Sequence, residues 1–112
     1  MTIAEAMALG KPVIATGYSS NMEFMTPGNS FAVDYVLTTL SRNHGPYPRG
    51  FTWADPDVDH AARLMRTLVD DPRQASEAGR QAAADVRAQF STSSAAARIR
   101  GRLEEISSEA AR

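Results

Sequence analysis

Residues 2–16 read TIAEAMALGKPVIAT, and their order sets the fold class. Thr2-Ile3-Ala4-Glu5 has capping-box spacing, a hydroxyl residue followed three positions later by a glutamate. It predicts a short helix with Thr2 as N-cap. Ile3 and Met7 lie four apart and share a face. Gly10 suits a helix C-terminus and Pro12 forbids continuation. Pro12-Val13-Ile14-Ala15-Thr16 is then β-rich without polar alternation, the pattern of a parallel strand covered on both faces. A short helix, one tight turn and a buried strand make half of a βαβ unit. The expected class is therefore α/β: a partial Rossmann-like domain, with two short parallel strands followed by several helices.

Working outward, Gly17-Tyr18-Ser19-Ser20 is the loop beyond that strand. Ser20-Asn21-Met22-Glu23 repeats the capping-box spacing and predicts a short helix through Met25. Thr26-Pro27-Gly28-Asn29 has the composition of a type II turn, and Phe31, Val33 and Tyr35 alternate as a second strand. Residues 37–55 show no regular period and read as a long loop, a length that is uncommon unless the loop is functional or packed as a unit.

A helical tail is expected over residues 56–112. Asp55-Pro56 and Asp71-Pro72 each read as N-cap plus first helical residue. Val58, Ala61, Ala62, Met65, Leu68 and Val69 form one apolar face; Ala75, Ala78, Ala82, Val86 and Phe90 form the next. Ser91–Ser94 break the pattern, and Ile99, Leu103 and Ile106 line a last helix. Two isolated parallel strands are marginal in water, so the chain reads as the tail of a larger doubly wound domain, with Met1 an internal start.

The chain has 112 residues, 43% of them hydrophobic and 22% charged, with formal net charge −1. That balance argues against general electrostatic attraction to nucleic acid or to an anionic membrane. There are no cysteines, hence no disulfides or thiolate metal sites. No apolar run approaches the ~20 residues of a membrane span, and the start lacks a signal-peptide pattern.

The run TIAEAMALGKPVIATGYSSNMEFM resembles the C-terminal, donor-binding domain of retaining GT-B-type glycosyltransferases of the glycogen synthase and mannosyltransferase kind. NSFAVDY resembles that domain's following strand, and YPRG…WADPDVDHAARLMRTLVDDP its next loop and helix. The resemblance covers roughly residues 1–90 and is most specific in the first 25. It implies a hexosyltransferase using a nucleotide diphosphate sugar, with mannose the first expectation for the sugar and a glycan or lipid-linked molecule as acceptor. It implies that Glu5 matches the second of the family's paired glutamates, which accepts hydrogen bonds from the donor ribose. The first glutamate, the Gly-rich phosphate loop and the acceptor domain would lie upstream of Met1, so the chain alone is expected to be inactive and to hold no catalytic residue.

The donor-binding residues expected here are Glu5, Thr2, Ile3 and Gly17. A helix N-terminus at Thr2 and Ile3 suits a phosphate, and ligands of open α/β sheets sit at strand carboxyl ends, where Thr16 and Gly17 fall. No metal or other cofactor is expected. The implied location is cytoplasmic, with room for peripheral contact at the inner membrane face.

Each feature also has a plainer reading. Glu5 could serve only its own helix, and Asn21 and Glu23 read better as helix-start residues than as ligands. His44 and His60 lack metal-ligand spacing. Asp55, Asp57 and Asp59 alternate, yet lack the glycine and distal glutamate of a calcium loop. Tyr47 and Trp53 would anchor the long loop or touch the acceptor, and Arg98, Arg100 and Arg102 read as a solvated face. Two other functions fit the same residues: a non-catalytic accessory module docking through its helices, and part of a GT-B-like sugar-nucleotide epimerase.

Overall fold

The computed structural model describes residues 2–110. The element order is α1 (Thr2–Ala8), β1 (Ile14–Thr16), a 3₁₀ turn (Ser19–Glu23), β2 (Phe31–Val33), β3 (Tyr35–Thr39), β4 (Thr52–Pro56), α2 (Val58–Asp70), α3 (Pro72–Phe90) and α4 (Thr92–Ala110). This is a small α/β architecture with short parallel strands followed by several helices, of a generic Rossmann-like kind. The expectations for Met1 and for the last two residues of the tail lie outside the described residues.

α1 ends as its sequence demands. Gly10 adopts a φ of 71°. Its N–H donates to Met7 O at 2.8 Å, and Lys11 N–H donates to Ala6 O at 3.0 Å. This pair of bonds is the Schellman closure, which satisfies carbonyls that a helix end otherwise leaves bare. Arg87 reaches from α3 to donate to Ala8 O at 3.0 Å. The capping box at the other end does not form as expected. Thr2 is already helical, and neither its hydroxyl nor the Glu5 carboxylate bonds another described residue.

β1 and β2 pair in parallel, Ile14 opposite Phe31 and Thr16 opposite Val33. Hydrogen bonds from Phe31 N–H to Val13 O and Gly17 N–H to Val33 O, both 2.9 Å, extend the ladder at each end. β1 is only half-buried, so the expected covering of both faces is incomplete. The core lies between α1, β1 and α3, where Ala4, Met7, Val13, Met25, Ala82 and Val86 form one buried cluster. Phe24 meets Phe90 edge-on with ring centroids 5.5 Å apart.

Three local expectations are corrected. The turn at Thr26–Asn29 forms, with Asn29 N–H donating to Thr26 O at 3.1 Å and Ser30 N–H to the same oxygen at 3.0 Å. Gly28 is not among the glycines with positive φ, so the turn is not type II. The successive bonds onto Thr26 O wind it helically, and no left-handed residue is needed.

The long loop at 37–55 is an antiparallel hairpin: β3 pairs with β4, Tyr35 opposite Pro56 and Thr39 opposite Thr52. Every residue of β3 is exposed, so neither face needed to be apolar and no alternation marked the strand. The tip is closed by Leu40 N–H to Phe51 O at 2.8 Å and by the His44–Tyr47 bridge.

Pro56 ends β4 instead of starting α2. Asp57 is the N-cap, its carboxylate accepting His60 N–H at 2.8 Å. That hydrogen bond holds the Asp57 carboxyl below its ordinary value; desolvation opposes the shift and Arg63 assists it. A depressed carboxyl stabilises the fold above its unfolded value and loses that contribution as pH falls through the folded one. Acidification through and below the carboxylate range should therefore fray the first turn of α2, seen as a smaller protection factor of the His60 amide once the slower intrinsic exchange in acid is divided out. Asp57→Asn should keep the cap and remove this pH dependence, because an amide oxygen also accepts the bond.

α3 begins as expected, with Asp71 accepting Arg73 and Gln74 N–H, both at 3.1 Å. Its buried face is Ala78, Gly79, Ala82, Ala83 and Val86. α2 splits its apolar residues: Ala61, Leu64 and Leu68 are half-buried, while Val58, Met65 and Val69 are exposed. α4 buries no residue. The radius of gyration is accordingly 18.4 Å, against about 13 Å for a compact chain of this length.

Candidate functional site

The carboxyl end of β1 opens into a hollow of about 500 Å³, lined by Ile3, Ala15, Thr16, Tyr18, Asn21, Thr52, Trp53 and Ala54. Three separate parts of the chain meet there: the first turn of α1, the strand-to-turn segment after β1, and β4. The segment after β1 is held tightly. Asn21 Nδ2 donates to Thr16 O at 2.9 Å, and Tyr18 N–H donates to the same oxygen at 2.8 Å. Ser19 sits at a φ of 71°, a left-handed conformation that a residue with a Cβ adopts at a cost.

The aromatic lining is oriented by its neighbours. Tyr18 meets Tyr35 edge-on at 5.1 Å. Trp53 is flanked by His44 at 5.6 Å and Tyr47 at 6.2 Å, so the hairpin tip fixes the indole. The lining holds no carboxylate, imidazole or amine. It offers aromatic surface, two threonine residues and one amide, which suits holding a flat or hydroxylated ring and not acid–base work.

The four residues expected to bind donor fall at this end of the molecule but differ in availability. Ile3 is half-buried and lines both this hollow and a smaller one beside it. Thr2 lines the smaller hollow and is exposed. Glu5 is exposed, on the outward face of α1 one turn after Thr2, and lines neither hollow. Its carboxylate makes no hydrogen bond or ion pair with another described residue, so the helix does not consume it. The Gly17 N–H is spent on Val33 O, and a Cβ at Gly17 would lie 3.2 Å from the Ala32 Cβ. Gly17 thus has a structural duty, letting β1 and β2 close.

Asn21 is not simply a helix-start residue, since it braces Thr16 under the hollow. Thr52 and Ala54 were illegible as site residues because their strand was hidden in an apparent loop. Among the described residues no three His, Asp or Glu side chains gather as a metal site. His60 instead accepts Asp34 N–H at 3.1 Å through Nδ1, tying α2 to the β2–β3 break. Among the described residues no helix is long and apolar enough to cross a membrane. Comparison with family models, with curated proteins and with solved structures finds no match for this chain.

Proposed function

We propose that this chain is the nucleotide-sugar-binding portion of a retaining GT-B-type glycosyltransferase, a hexosyltransferase acting on a glycan or lipid-linked acceptor. The observation that carries the reading is Glu5: an exposed carboxylate in the first turn of α1, unclaimed by any other described residue, on the helix that leads into β1. A carboxylate so placed can accept two hydrogen bonds from a vicinal ribose diol. The hollow at the end of β1, with Tyr18 and Trp53 in its wall, lies where open α/β sheets take their ligands. The sequence resemblance over the first 25 residues supplies the substrate class. The residues present bind and orient donor; they supply no acid, base or nucleophile for the transfer. The reading carries with it a cytoplasmic location, and contact with the inner membrane face where the acceptor is lipid-linked.

Titration with uridine, guanosine and adenosine diphosphates and their hexose conjugates tests this by calorimetry and amide chemical shifts. One nucleotide series should bind saturably, shifting residues 2–8 and 15–21. Glu5→Ala should weaken that binding by about 1–3 kcal/mol through the lost hydrogen bonds to the diol. Absence of saturable binding up to about 5 mM, or affinity indifferent to Glu5→Ala, would overturn it.

A second reading, an accessory module docking through its helices, is favoured by one observation. Apolar stripes on α2 (Val58, Met65, Val69) and α4 (Ile99, Leu103, Ile106) lie exposed. Helix-mediated association without nucleotide binding would support it over the first.

A further inference from the structure

We infer that α4 pairs antiparallel with α4 of a second copy of this chain, about a two-fold axis near Leu103. The inference is independent of the glycosyltransferase reading. α4 is a helix of 19 residues that buries none of them. Ile99, Leu103 and Ile106 recur at intervals of four and three, so they form one stripe, and they are 62%, 59% and 45% exposed. A helix with such a stripe left in water lacks its usual packing partner.

The charges beside the stripe identify the partner. Arg98, Arg102, Glu105 and Glu109 repeat the same spacing one residue earlier and make a single flank, basic in its first half and acidic in its second. In an antiparallel pair with a two-fold axis across the interface, each flank faces its own copy reversed. Arg98 stands five residues before Leu103 and Glu109 six after; Arg102 stands one before and Glu105 two after. Reversal therefore sets Arg98 against the partner's Glu109, and Arg102 against the partner's Glu105, twice over. A parallel pair would instead set this flank against the partner's other flank, where Arg100, Glu104 and Ser107 stand, and would lose the matched set of opposite charges. In the single chain Arg102 turns to Glu105 of its own helix at 2.9 Å, and Arg98 donates to Gln89 O at 3.0 Å. Both are exposed contacts that a partner can exchange at little cost.

Such an interface is small. A helix of this length spans about 28 Å, and the pair buries less than the roughly 1,200 Å² of a standard stable complex. Association is therefore weak and concentration-dependent, with the charges setting orientation more than affinity.

Sedimentation equilibrium of the 112-residue chain over about 0.01–1 mM tests it. A monomer–dimer equilibrium is expected, weakened at least about 30-fold by Leu103→Asp at the interface centre. Arg98→Glu with Arg102→Glu makes the flank wholly acidic, and Glu105→Arg with Glu109→Arg makes it wholly basic. Each double variant should associate more weakly than the original chain, and an equimolar mixture should recover dimer. That recovery is a gain, so loss of folding cannot mimic it. A monomer throughout the range would overturn the inference. So would a dimer indifferent to Leu103→Asp, or one abolished only by Met65→Asp on α2, or a mixture no tighter than its components.

Discussion

Gly79→Ala should destabilise the chain by about 3 kcal/mol, lowering its melting temperature by roughly 10 °C or more. The reason lies in how α1 ends. The Gly10 turn brings its carbonyl directly against α3 at Gly79. A Cβ at position 79 would overlap that oxygen, and would lie 2.9 Å from the carbonyl carbon and 3.4 Å from Pro12 N. These are backbone atoms, locked by the Schellman bonds of Gly10 and Lys11 and by the strand that follows, so no side chain can swing aside. Relief must come from separating α1 and α3, which between them supply Ala4, Met7, Ala82 and Val86 to the core.

The same substitution at Gly101 should have the opposite sign. A methyl group there would meet nothing within 4 Å, and the φ of Gly101 is not positive, so alanine should favour α4 by about 0.5–1 kcal/mol. Equal melting temperatures for the Gly79→Ala and original chains would refute the close approach of α1 to α3.

The second large effect is expected at Asn29, whose side chain is fully buried. Its Nδ2 donates to Phe24 O at 3.0 Å and to Asp85 Oδ2 at 2.8 Å, while its Oδ1 accepts Thr26 N–H at 2.7 Å and the Ser30 hydroxyl at 3.0 Å. The amide thus locks the turn before β2 onto α3. Gln81 steadies the other Asp85 oxygen at 2.8 Å.

Asn29→Asp keeps the shape but puts a second carboxylate against the first and removes the donor that Phe24 O and Asp85 use. At neutral pH the expected loss is about 3–5 kcal/mol, the usual range for an uncompensated buried charge. Like charges raise the pKa of the pair, and a carboxyl raised in the folded state destabilises when ionised. Stability of this variant, relative to the original chain, should therefore recover as pH falls through the raised value. Asp85→Ala should cost stability in the original chain yet partly restore the Asn29→Asp variant. Denaturation of all four chains across pH 4–8 would decide it, the range being about that in which a raised carboxyl titrates. Additive losses would show that the two side chains do not meet.

The two predictions bear on the candidate site through position. Gly79 and Asn29 fix α1 and the segment before β2 against α3, and the hollow at the end of β1 lies between elements so held. Loosening either contact should blur the hollow even though neither residue lines it.

What the sequence determined by itself was local. Gly10 and Pro12 ended α1, Asp71-Pro72 started α3, and the apolar run to Thr16 made a strand, because each acts on backbone within a few residues. The capping role of Glu5 was not decided there, since the sequence made Thr2 the N-cap whereas Thr2 is already helical and the Glu5 carboxylate stays exposed. Tertiary structure alone decided the rest. The hairpin at 35–56 was hidden because both its faces are wet, and burial is what imprints a period of two on a strand. Only packing chose which half of the α2 apolar surface meets the sheet. The glycine demanded at 79 comes from a carbonyl 69 positions earlier, and the pairing of Asn29 with Asp85 spans 56 positions. Side chains that far apart carry no mark of one another until the chain closes on itself, and the hollow beside Trp53 exists only once three such segments have met.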